Sequence, residues 1–171
     1  MTLRLLLVFS LLTSCSINPV TGNRDFVTMS EDSEIAMGQN YSVQVLQQVP
    51  AYKDKDLQAY VQMIGESLAK KSHRSNLIYR FTVLDSPDIN AFALPGGYIF
   101  INRGLMAYLS SEEELAAVLG HELGHVTARH SVRQMSQAQL IGFMSMIVGS
   151  QASRIAGDIT NMAGGAFLAG Y

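Results

Sequence analysis

Three residues of this 171-residue chain have the spacing of a metal centre: His121, Glu122 and His125, in the run HELGH. Residues four apart share one face of a helix, so both imidazoles can reach a single Zn²⁺, and a Glu between them lies beside any water the metal holds. The chemistry that this set supports is hydrolysis, with Zn²⁺ acidifying the water and Glu122 accepting its proton as general base. The chain has only four histidines, so two of them framing a Glu at this spacing is a poor candidate for coincidence.

Helical angles sharpen the reading. With Leu115 at zero and about 100° per residue, Val118, Leu119 and Val126 fall within about 60° and form an apolar stripe. Glu122 falls at about −20°, inside that stripe, where desolvation raises a carboxyl pKa and a metal's charge opposes the rise. His121 and His125 lie side by side on one flank, which puts the metal at the edge of the core. His130, at about +60°, is expected on the opposite side of the stripe and not to ligate. Arg129 projects toward the Glu side; pairing with an acid of the body is the preferred role and substrate contact the alternative.

Ser111-Glu112-Glu113-Glu114 predicts the start of this helix, a capping box with three acids in the first turn. Upstream, Ser30 reads as an N-cap for a helix over Glu31 to Val49, with Ile35, Gly38, Tyr41, Val45, Leu46 and Val49 at helical spacing. A second helix starts at Asp54 or Lys55 and carries Leu57, Tyr60, Val61, Ile64 and Leu68 on one face. From about Ile78 to Asp85 the period becomes alternating, with Leu77, Tyr79, Phe81 and Val83 facing one way. His73, in the polar turn HRSN, reads as solvated.

NAFAL (90–94) and YIFIN (98–102) follow as strands joined at Pro95-Gly96-Gly97, and Arg103 to Leu109 reads as a short helical connector. The pattern predicts an α+β fold, mainly helical, with a small three-stranded antiparallel sheet beside the HExxH helix. Pro95 keeps NAFAL at an edge, and an unpaired edge can receive an extended peptide. A hairpin that merely packs remains open.

The amino terminus resembles an export signal, residues 1–14: Arg4 precedes the apolar Leu5 to Leu12, too short to span a bilayer. Leu12-Thr13-Ser14-Cys15 resembles a bacterial lipobox, and Cys15, the one cysteine, is the expected lipidation site and membrane anchor. The resemblance to lipoproteins implies that Ser16 after it favours the outer membrane. Residues 15–29 read as a tether and 30–171 as the amino-terminal part of the folded domain. A net charge of −2 with scattered basic residues excludes an electrostatic nucleic-acid binder. Ala138 to Tyr171, rich in Gly, Ala, Met and Ile but interrupted by polar residues, reads as one or two core helices.

INPVTGNRDF, SEDSEIAMGQ, SPDINAFALPGGYIFINRGL and SEEELAAVLGHELGHVTARHS together resemble the HtpX-type zinc metallopeptidases, most closely their periplasmic lipoprotein branch. The resemblance implies one Zn²⁺ held by His121 and His125, Glu122 as base, and a cleft lined by Asn90, Ala91, Phe92, Ala93, Gly96 and Gly97. It implies a polypeptide substrate, such as misassembled outer-membrane barrel proteins, and a site facing the periplasm of a Gram-negative bacterium. It also implies a third ligand, a Glu in a later E-x-x-x-D helix. No Glu follows Glu122, and Asp158 is the only acid after His125, in a segment the resemblance does not match to a ligand. The expectation is therefore a truncated domain, with a non-catalytic peptide-binding chaperone or assembly factor as the alternative to a zinc endopeptidase.

Overall fold

The computed structural model describes residues 15–17, 20, 22 and 24–138. The signal segment, Asp158 and the helices expected beyond residue 138 lie outside them. The expected tether begins as a short antiparallel hairpin, β1 (Cys15–Ile17) with β2 (Arg24–Phe26).

Each helix starts where a side chain satisfies its first free N–H groups. Ser30 accepts from the Ser33 N–H ahead of α1 (Glu31–Gln48). Asp54 accepts from Asp56 and Leu57 ahead of α2 (Lys55–Ala69). The strands are β3 (Arg80–Leu84), β4 (Ala91–Leu94) and β5 (Tyr98–Asn102), with a 3₁₀ turn at Pro95–Gly97 and a one-turn α3 (Arg103–Met106) after β5. Ser111 then caps α4 (Glu112–Thr127), accepting from Glu114, whose carboxylate reaches back to the Ser110 N–H, one residue earlier than a capping box would have it.

The sheet corrects the expected antiparallel arrangement. Its order is β3-β5-β4, with β5 parallel to β3 and antiparallel to β4. The reason is burial: every residue of β5 is buried, so this strand takes the middle position, with partners on both edges and packing on both faces. The β3–β4 loop crosses the end of β5, where Asn90 accepts from the Asn102 N–H and Ser86 from the Gly104 N–H.

Two helical layers sandwich this sheet. Val61 and Ile64 of α2 and Leu115, Leu119, Leu123 and Val126 of α4 pack on one face, against Phe81, Val83, Ala91, Ile99 and Ile101. On the other face Val45 of α1 meets Leu84, Leu94, Tyr98 and Phe100, with Phe92 stacked on Phe100. The buried stripe of α1 is Glu34, Gly38, Ser42 and Val45, whereas Leu46, expected in the core, is 39% exposed. Gly38 lets α1 lie directly on the turn: a Cβ there would strike the Pro95 carbonyl. Gly38→Ala is therefore expected to lower stability by about 1–3 kcal/mol through overpacking, read from denaturant unfolding.

The two outer edges of the sheet differ. Along β3, Gln58 of α2 both accepts from the Val83 N–H and donates to the Val83 carbonyl. Gln62 does the same between the Phe81 N–H and the Tyr79 carbonyl, and residues 50–52 add backbone bonds. Among the described residues nothing comparable reaches the outer edge of β4.

Candidate metal centre

The reading of α4 by angle holds for its apolar face. Glu122 is 6% exposed, and Leu115, Leu119 and Val126 of the same helix are more deeply buried still, while His121 is exposed and His125 half-buried. The Nε2 atoms of the two imidazoles turn toward each other and lie 3.1 Å apart. Burial pushes the Glu122 carboxyl above its usual range, partly offset by His121. His125 is pushed below the usual imidazole value, first by burial and then by the neighbouring His130 and His121.

His130 is not where a continuous helix would put it. The helix ends at Thr127, and Arg129 takes a left-handed backbone, φ 54. The chain turns and residues 130–138 resume as helix, so that the His130 ring comes back over His125 with Nδ1 to Nδ1 at 2.9 Å. A left-handed non-glycine costs on the order of 1–3 kcal/mol and persists only when its surroundings hold it. Here Arg129 donates to Glu34 at 2.8 Å and to the Met29 carbonyl at 3.0 Å, which makes its role the structural one.

Glu34 is the hub of a buried charge network that sequence reasoning missed. It is 1% exposed and takes Arg74 on one oxygen at 2.8 Å and Arg129 on the other at 2.8 Å, and it accepts from the Gly96 N–H at 3.4 Å. Arg74, 4% exposed, also bonds Glu31 and donates to the Val126 carbonyl. The network therefore ties the end of α4 to α1 and to the turn that ends β4. Its trace in the sequence is phase: Glu34 is four residues before Gly38, on the stripe that faces inward.

Of the residues expected to line a cleft, Ala91, Phe92 and Ala93 form β4, and Asn90 immediately precedes it. Gly96 and Gly97 are buried, with positive φ; a Cβ on Gly96 would meet the Ile35 backbone and one on Gly97 the Ile78 carbonyl. Their place is the scaffold behind the end of β4. β4 runs beside α4, and at its start a cavity of about 350 Å³ opens against His121 and Glu122, walled by Ile89, Ala91, Leu105, Ala117 and Val118.

The sequence pattern of peptidase family M48 matches residues 55–170. The chain belongs to this family. This chain is similar to the beta-barrel assembly-enhancing protease of Yersinia pestis, 33% identical over 156 residues, 90% of this chain and 32% of that protein. The protein of the same name from Escherichia coli is 31% identical over 145 residues, 81% of this chain and 30% of the relative. The mitochondrial metalloendopeptidase OMA1 of Schizosaccharomyces pombe is 33% identical over 123 residues, 69% of this chain and 36% of the relative. The chain thus spans about a third of the length of the curated relatives it matches.

M48 membership implies a metal ion, and the residues of α4 suit one. Two imidazole ligands on a tetrahedral zinc, each about 2.0–2.1 Å from the metal, would lie about 3.3 Å apart, close to the separation present here. Both offer ring nitrogens from one helical face. Among the described residues no group of three or more His, Cys, Asp or Glu side chains converges as a metal cage.

Proposed function

We propose that this chain carries the zinc-binding helix and substrate edge of a zinc-dependent endopeptidase that hydrolyses misfolded or misassembled proteins of the bacterial envelope. The observation that carries the reading is the juxtaposition on α4: two Nε2 atoms 3.1 Å apart, a buried carboxylate one residue along, and alongside them the outer edge of β4, which pairs with no backbone among the described residues. His121 and His125 would hold the ion. A Zn²⁺ there supplies Lewis acidity, polarising a peptide carbonyl and acidifying water.

The other steps belong to side chains and backbone of the chain. The edge of β4 takes a substrate segment in extended form through main-chain hydrogen bonds, which do not depend on the segment's side chains. Glu122, its proton affinity raised by burial, accepts a proton from the attacking water and delivers it to the departing amine. The cavity beside it accepts one apolar substrate side chain next to the bond being cut. Val118→Phe would fill that cavity and is expected to lower kcat/KM about tenfold or more on substrates with a large apolar residue there. Mass spectrometry of the products, comparing the two enzymes' cut sites, checks it.

The lipobox-like run supports an anchor at Cys15, holding the domain at the outer membrane on the periplasmic side. Incorporation of labelled palmitate that disappears in Cys15→Ala tests this. Among the described residues no helix is long and apolar enough to cross a membrane. Unfolded outer-membrane barrel protein and casein, incubated with the zinc-loaded chain, test the activity; tight zinc binding without cleavage of either would favour the chaperone reading.

A further inference from the structure

The contact between His125 and His130 fixes a proton. Their Nδ1 atoms lie 2.9 Å apart with rings at 72°, so one must donate and the other accept. A His125 that binds metal through Nε2 has its lone pair on Nε2 and its proton on Nδ1. His125 is then the donor, and His130 Nδ1 the acceptor. A free neutral histidine favours the opposite tautomer, with the proton on Nε2, which cannot ligate through that atom.

We propose that His130 is a positioning residue for the metal centre: it accepts the His125 Nδ1–H and so holds the imidazole in the tautomer and orientation that point Nε2 at the ion. The inference rests on the zinc reading above. In a continuous helix residue 130 would stand about 140° away from residue 125 around the axis, out of reach. The contact exists because Arg129 reverses the backbone, and Arg129 is held there by Glu34 and the Met29 carbonyl. The far-off buried carboxylate thus shapes the site without touching it. His125 and His130 together border a cavity of about 460 Å³ with Arg133, Gln134 and Gln137.

The test uses the full chain and two readouts. First, zinc affinity is measured by competition with a chromophoric chelator for wild type, His130→Phe and His130→Gln. His130→Phe, which fills the space but cannot accept, is expected to bind zinc about 10–100-fold more weakly, and His130→Gln, which keeps an acceptor oxygen, to recover most of the loss. Second, NMR of ¹⁵N-histidine-labelled wild type is expected to show a through-hydrogen-bond ¹⁵N–¹⁵N coupling between the two Nδ1 atoms, with or without metal. This second readout needs no variant to fold. Equal zinc affinity in wild type and His130→Phe, or the absence of the coupling, would overturn the role of His130. Failure of wild type to bind zinc at all would instead overturn the metal reading beneath it.

Discussion

Glu122→Gln is expected to reduce peptide cleavage by about 10²–10⁴-fold, the range for losing a positioned general base. The substitution keeps the shape of the side chain and removes only its ability to accept a proton. Zinc affinity should stay near wild type, because His121 and His125 are untouched. Thermal stability should stay level or rise, because the carboxylate lies in apolar surroundings that already disfavour its charge, and a neutral amide avoids that cost. Rates of casein cleavage, a zinc titration and a thermal melt on the same preparation separate the three effects. Cleavage that survives the substitution would remove Glu122 from the chemistry.

Glu34→Ala carries the largest expected effect on stability. Its loss takes the carboxylate from the half-buried Arg129, leaves Arg74, 4% exposed, with only the more exposed Glu31 as a charge partner, and frees the left-handed turn at Arg129. Breaking a buried pair by deleting one partner costs about 3–5 kcal/mol, because an uncompensated charge stays behind. For a domain of this size that amounts to a fall in Tm on the order of 10 °C or more. The triple variant Glu34→Met, Arg74→Leu, Arg129→Met is expected to recover much of the loss, since it removes the stranded charges together with their partner. Calorimetry of wild type, single and triple variants decides it; a single variant as stable as wild type would contradict the hub.

The local parts of this fold were legible in the sequence because their causes are local. Ser30, Asp54 and Ser111 cap the helices they precede, and the alternation of Leu77, Tyr79, Phe81 and Val83 marks a half-buried strand. Glu122 could be placed inside the apolar stripe from periodicity alone. Strand order was a different matter. The unbroken apolar run YIFI signals a strand covered on both faces, which favours the centre of a sheet, yet a Gly-Gly turn before it suggested a simple meander. His130 was misplaced because the angle count assumed a continuous helix, and the interruption at Arg129 is set by Glu34, 95 residues away. No local pattern encodes that pair. The same holds for Gln58 and Gln62, whose side chains seal the edge of β3 from the neighbouring helix.

These non-local contacts give the site its asymmetry. One edge of the sheet is closed by α2, and the other is uncovered beside Glu122 among the described residues. The end of α4 is clamped to α1 and to the turn after β4 by a buried network centred on Glu34. The edge of β4 and the two imidazoles of α4 are thereby kept in register by residues that lie behind both.

The most direct measurement is cleavage of an unfolded barrel protein by the zinc-loaded chain, before chelation, after chelation, and after return of one equivalent of zinc. Cleavage should vanish with the metal and return with it in wild type, and stay absent throughout in His121→Ala/His125→Ala. Cleavage that persists through chelation, or in the double variant, would contradict a metallopeptidase centre on α4.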